Sequence, residues 1–224
     1  MNTGAEAISS LVGFETELAV TSLADLPGDD GYDNGGVASA ITDIDTLVSA
    51  GDVAQGLSGA TYVNWNARGV DGRTAGASAT FTPTTTSFAT AGLANMRTCY
   101  LNASEGGIQP NVILTTYDIF NWYEGSLTPS QQFTNTNAAD GAFTNLSYKQ
   151  RPILPDDKCP SGTMYMLRIG EDGIQFCVLN GADFMAKDFK YAQDQEARVS
   201  EVQLKGNLIC HNRKYSNKLT GLTA

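Results

Sequence analysis

The chain has 224 residues, of which 42% are hydrophobic and 17% charged, and its formal net charge is −10. This length predicts one large domain or two modest ones, able to bury roughly 70–75% of the unfolded surface without a metal or disulfide framework. The low charged fraction excludes a disordered chain, and apolar runs as short as Val112–Leu114 and Phe176–Leu179 exclude a bilayer-spanning segment, so a soluble globular protein is expected.

Residues 1–85 are rich in Gly, Ala, Ser, Thr and Asp and show little periodicity, which predicts an irregular, loop-rich segment laid on a larger core. Short candidate elements fall at Ala5–Val12 and Ile41–Ala50, with the acidic, glycine-rich loop Pro27–Gly36 between them. Pro83 marks a stop. From Ser87 the apolar residues Ala89, Leu93, Met96 and Tyr100 recur at helical spacing, predicting an amphipathic helix that closes at Gly106-Gly107. Pro110–Leu114 reads as a short buried strand. Thr115-x-x-Asp118 reads as a capping box that opens a second helix through Ile119, Phe120 and Tyr123 to Gly125. Helix, buried strand and helix in close succession predict a compact α/β unit within residues 86–145.

Beyond the polar stretch Thr128–Asp140 the hydrophobic period falls to two, so residues 146–224 are expected to form an antiparallel sheet. Tyr148–Leu154 reads as one extended segment, with Pro152 forcing an edge or a bulge. Cys159-Pro160-Ser161-Gly162 is a turn, and Thr163–Ile169 and Ile174–Leu179 flank Gly170–Gly173 as a hairpin. In Val202–Cys210 the residues Val202, Leu204, Leu208 and Cys210 fall on one face, with Gly206 as a bulge. The fold class is α+β.

The charge is unevenly spread. Residues 1–80 hold 2 basic and 11 acidic side chains, residues 81–185 hold 5 and 9, and residues 186–224 hold 7 and 4, for nets of −9, −4 and +3. An acidic majority argues against a nucleic-acid-binding module, which needs a basic footprint, whereas opposite local nets suit contacts between copies. Cys99, Cys159, Cys177 and Cys210 have neither disulfide density nor zinc spacing, which points to a reducing compartment. Cys99, Cys177 and Cys210 are expected in the core and Cys159 at the surface. His211 is the single histidine, placed after a strand-like run, and adjacent Cys210 and His211 on extended chain face opposite ways, a poor geometry for local Cys-His catalysis. Phosphate-loop, dinucleotide-binding, nucleophile-elbow and zinc-protease motifs are absent from the sequence. The run Asp29–Gly36 misses calcium-loop spacing, and Asp156-Asp157 reads as a solvated pair in a turn. Asn102-Ala103-Ser104 and Asn145-Leu146-Ser147 match a glycosylation pattern that has meaning only in a secretory compartment. No catalytic, cofactor-binding or metal-binding residue is assigned.

Pro110–Phe133 (PNVILTTYDIFNWYEGSLTPSQQF), Leu146–Leu167 (LSYKQRPILPDDKCPSGTMYML) and Gly206–Leu222 (GNLICHNRKYSNKLTGL) together resemble major capsid proteins of tailed bacteriophages with the HK97-type fold. The carrying positions are Pro110, Val112–Thr116, Tyr123-Glu124, Pro152-Ile153, Asp156-Asp157, Cys159–Gly162 and Asn207–Asn212, with Tyr62–Arg68 (YVNWNAR) upstream. The resemblance runs from about Tyr62 to Leu222, and its weight lies in the order of these segments. It implies a structural protein without enzymatic activity or cofactor, whose copies form hexamers and pentamers of an icosahedral shell around packaged DNA. It further implies an axial-domain role for residues 86–145 and a return to the peripheral domain over residues 146–224. Scaffold, portal and decoration proteins would be partners, and the location would be the virion, after synthesis in the bacterial host cytoplasm. The N-terminal arm, long β-hairpin and spine helix of that family are not visible before Ser87, so the expectation is a chain lacking the family's front end. A secreted or surface carbohydrate-binding β-rich module, suggested by the Gly/Thr/Asn content and by Trp65, Trp122 and tyrosines expected at the surface, is the competing expectation, and a carboxylate-based hydrolase is a weaker third.

Overall fold

The computed structural model describes residues 14–15, 17–23, 28, 30–32, 41–49, 53–59, 61–62, 65, 80–81, 88–127, 146–191 and 198–223. It divides into two compact units, one of Met1–Thr42 with Phe176–Leu208, the other of Asp43–Gln175 with Ile209–Ala224. The chain passes between them inside two paired strands, β8 (Ile174–Val178) and β13 (Gly206–Cys210).

The larger unit holds the short antiparallel pair β1 (Val53–Ala54) and β2 (Leu57–Ser58) and is built on a six-stranded sheet. In spatial order its strands are β3 (Thr80–Phe81), β14 (Asn217–Leu219), β7 (Met164–Leu167), β4 (Val112–Thr115), β6 (Arg151–Pro155) and β5 (Ser147–Tyr148). The α+β class stands, with two parallel pairings in the sheet: β4 with β6, in the register Ile113 to Ile153, and β14 with β3. Parallel neighbours need a crossover, and the helix Tyr117–Ser126 lies on the path from β4 to β6. Before β4, a π-helical turn Phe88–Gly92 runs into the helix Leu93–Asn102. Three α-helices of the larger unit are labelled α1 (Ile44–Val48), α2 (Leu93–Asn102) and α3 (Tyr117–Ser126), and helical residues also occur among 14–23 and 28–32. The expected helix–strand–helix succession is therefore present. Residues Ala5–Val12 and Thr128–Asp140 lie outside the described residues.

Alternation along the strands sorts side chains between the two sheet faces. Met164 and Met166 of β7 and Leu219 of β14 join Phe88, Met96 and Ile119 in the main core. Tyr165 and Lys218, the intervening residues, turn to the opposite face and meet α1. Tyr165 Oη donates to Asp45 Oδ1 at 3.1 Å, and Lys218 Nζ donates to the same oxygen at 2.7 Å and to Ser49 Oγ at 2.9 Å. All four residues of β7 are buried, as expected of a strand covered on both faces. α1 has only five residues and would not hold alone. Asp43 caps its first turn by accepting from the Thr46 amide at 3.0 Å. Fully buried Arg213 closes the other end, donating from Nε to Leu47 O at 2.7 Å and from a terminal nitrogen to Thr46 O at 2.8 Å and to Ser49 O. A guanidinium at the negative end of a helix serves the carbonyls that lack an intrahelical partner.

Several local expectations are corrected. Thr115 is the last residue of β4, its Oγ1 donating to Thr163 O at 3.4 Å, so Thr116 takes the N-cap position of α3 without a side-chain cap. Leu93 is exposed, because the buried stripe of α2 runs through Met96, Cys99 and Tyr100. Tyr148–Leu154 is a hairpin between β5 and β6, reversed by the left-handed Lys149 (φ 50°) and Gln150 (φ 65°). Gly170–Gly173 does not join a hairpin: β4 and β14 already occupy both edges of β7, so β8 leaves the sheet and pairs with β13. Gly206 is the start of β13 rather than a bulge, where a Cβ would come within 2.8 Å of the Phe176 ring. The Cys159–Gly162 turn forms as expected, with Gly162 at φ 70° and the Thr163 amide donating to Pro160 O at 3.2 Å.

Candidate functional site

The groups considered for chemistry do not converge. His211 is exposed at the end of β13, its amide donating to Gly173 O at 2.9 Å and its Nε2 lying 3.4 Å from Gln175 Oε1. Burial pushes the Cys99 thiol up to about 12 and Cys159 up to about 12, the latter also under the influence of Asp156. Burial likewise raises Cys210 to about 11, against an opposing backbone hydrogen bond from Asn212 and the charge of Arg213. Such thiols remain protonated and are poor nucleophiles. The expectation for Cys159 and Cys177 is reversed. Cys159 is buried, its Sγ directed at Thr163 O (3.6 Å) and Pro160 O (3.9 Å) inside the turn, whereas Cys177 is exposed on β8. Asp156 Oδ1 accepts from the Lys158 amide at 3.0 Å, an Asx turn. Of the acidic run, Asp30, Gly31 and Tyr32 are helical and Tyr32 is buried, so this part is not a free loop. Among the described residues no group of three or more His, Cys, Asp or Glu side chains is placed to hold a metal ion, and no helix is long and apolar enough to cross a membrane.

Neither tryptophan makes an open platform. Trp122 is half-buried against the core, 6.4 Å from the Phe88 ring, and Trp65 is half-buried with its indole nitrogen shielded from solvent. The carbohydrate-binding expectation loses the two tryptophans among the features that suggested it.

What the smaller unit does display is an apolar ribbon. β8 pairs with β13, then β9 (Met185–Ala186) with β12 (Val202–Gln203), then β10 (Lys190–Tyr191) with β11 (Arg198–Val199), all by one antiparallel course of chain. Linking bonds run from the Leu179 amide to Lys205 O (2.8 Å) and from the Lys187 amide to Glu201 O (2.9 Å). Two-stranded ribbons leave both edges open and are marginal by themselves. This one exposes Phe176, Val178, Leu179, Phe189, Tyr191 and Val199, with Leu179 at 61% and Tyr191 at 72% exposure. Six exposed large apolar side chains thus fall among the described residues of 176–199, a density that suits burial against a partner. Phe176–Leu179 is visible in the sequence as an apolar run, but its reading as part of a hairpin with Thr163–Ile169 concealed this. The pairing partner lies some thirty residues away and no local pattern announces that the ladder stands apart from the main sheet.

No protein-family model matches the sequence, and no curated protein matches it. Solved structures do match in fold. A chain of the cyanophage A-1(L) capsid asymmetric unit aligns with a TM-score of 0.60 at 18% identity, over 95% of this chain and 69% of that one. A chain of the holo encapsulin complex from Synechococcus elongatus PCC 7942 aligns with a TM-score of 0.46 at 13% identity, over 64% of this chain, which spans about half (52%) of that one. The first likeness establishes a phage capsid-type fold, as the resemblance in sequence implied.

Proposed function

We propose that this chain is a structural subunit of an icosahedral bacteriophage head, whose copies associate into hexamers and pentamers around packaged DNA. The carrying observation is the capsid-type fold, which extends over 95% of the chain. The exposed apolar ribbon supports the same reading, since residues 176–208 offer a surface that association would cover. On this reading the helix–strand–helix part of residues 86–145 faces the capsomer axis, and residues 146–224 return to the periphery. The role is non-enzymatic, with scaffold, portal or decoration proteins as further partners. The location is the virion, after synthesis in the host cytoplasm. Negative-stain microscopy of the purified chain tests it: rings or closed shells of uniform size are expected, whereas a chain that stays a dispersed monomer would overturn it.

A further inference from the structure

Three of the 14 basic residues stand together on one margin of the larger unit. Arg97 lies on the exposed side of α2, and Lys149 and Arg151 belong to the β5–β6 hairpin, where Arg151 sits directly opposite Tyr148 in the ladder. Lys149 Nζ lies 4.5 Å from the centre of the Tyr100 ring and 5.5 Å from that of Tyr148, and these two rings meet edge to face at 5.9 Å. The Arg97 charge bears on both Tyr148 and Lys149. Arg151 Nε is shielded from solvent without a hydrogen-bond partner. Among the described residues no carboxylate is paired with any of the three.

Like charges gathered in one place repel, and an exposed lysine ordinarily extends into water. Here the left-handed turn at Lys149 and Gln150 lays the ammonium over two aromatic faces, which hold a cation in place without neutralising it. Desolvation and the neighbouring Arg97 both disfavour the charged lysine, so the arrangement gains from an anion supplied from outside. The sequence offers such charge in its first third: residues 1–80 carry 11 acidic and 2 basic side chains, and Glu15 and Glu17 are both exposed. We infer that Arg97, Lys149 and Arg151 form a docking patch for the acidic N-terminal third of a second copy of this chain. The inference rests on the proposal that copies associate, and it adds a head-to-tail electrostatic contact to the apolar one. Phosphodiester is the less suitable occupant, because its tight binding needs an extended basic footprint and the chain has 14 basic against 24 acidic residues.

The test uses sedimentation equilibrium of the full chain at low and high salt, with circular dichroism to confirm folding. The double variant Arg97→Glu, Lys149→Glu is expected to weaken self-association roughly tenfold or more at low salt, as is Glu15→Lys, Glu17→Lys. Added salt should narrow each difference. An equimolar mixture of the two variants restores the complementary charges and should recover association. If the wild-type chain associates and the patch variant matches it, the docking patch is overturned while the shell reading stands. If the wild-type chain stays monomeric at every concentration, both fall. If patch reversal abolishes retention on a DNA duplex and leaves self-association intact, the occupant is nucleic acid and the inference is overturned.

Discussion

Arg213 Nε donates to the Leu47 carbonyl oxygen at 2.7 Å, joining residues 166 positions apart at a point shielded from water. Together with its bonds to Thr46 O and Ser49 O, it makes this one guanidinium the C-terminal closure of α1. Removing it would orphan three carbonyls and leave a cavity. Arg213→Ala is expected to lower unfolding free energy by on the order of 3 kcal/mol or more, measured by denaturant titration. Arg213→Lys should recover little, since an ammonium cannot span three acceptors held by a planar fork. A loss below about 1 kcal/mol would contradict this account of how α1 is held.

How much of this was legible in the sequence depends on range. β4 was readable because Pro110 and the run Val112–Leu114 define a buried strand locally, and Ile113 is fully buried. The α2 helix was readable from its apolar spacing, Leu93 excepted, and α3 from a capping signal placed one residue early. Arg213 was not: it lies in the polar run Cys210–Lys214, which by composition resembles a solvated strand end. Its burial is decided by a helix from the first quarter of the chain. The same holds for Gly170–Gly173, a sound turn signal whose flanking strands go to different ladders because β4 and β14 already pair with β7. Cys159 and Cys177 were exchanged for a similar reason, since an apolar neighbourhood in sequence put Cys177 inside while the ribbon puts it out. The capsid-type fold emerged from the order of several weak segments, none decisive alone, which is why long-range similarity succeeded where single motifs carried no chemistry.

Gly173 stands where a Cβ would overlap the Arg168 carbonyl oxygen. That carbonyl accepts from the Ile174 amide at 2.8 Å, so it cannot withdraw without loosening the turn out of β7. Gly173→Ala is expected to cost about 1–3 kcal/mol of stability, read by thermal and denaturant unfolding. An unchanged midpoint would show that the turn relaxes freely.

The thiols give a pH dependence whose sign is fixed. Cys99 and Cys159 ionise at about 12 and Cys210 at about 11 in the folded chain, against the ordinary value of 9.0. Burial also raises Tyr123 and Tyr148. Between the ordinary and the raised values the folded chain keeps protons that the unfolded chain has released, so unfolding gains free energy as pH rises. Stability from these groups is whole below about pH 9 and is lost progressively as pH climbs through the raised values. The denaturant midpoint should therefore fall between about pH 8 and about pH 10.5, and a midpoint that rises over this interval would contradict the burial of these thiols.

Cys177 reports on the ribbon directly. In the dispersed chain an aromatic disulfide reagent should modify one thiol rapidly and the three buried thiols slowly. In assembled particles the modification of Cys177 should slow markedly, because neighbouring Phe176, Val178 and Leu179 would be covered. Equal rates in the two forms would remove the ribbon from the interface.

The central claim, that copies associate through the exposed ribbon to build a shell, is tested most directly by sedimentation velocity over a concentration series. The wild-type chain is compared with Phe176→Asp, Leu179→Asp, its folding checked by circular dichroism. The wild-type chain is expected to shift from its 23.8 kDa form to large discrete species, while the folded variant remains at the monomer position. A wild-type chain that stays at 23.8 kDa throughout, or a variant that assembles equally well, would contradict it.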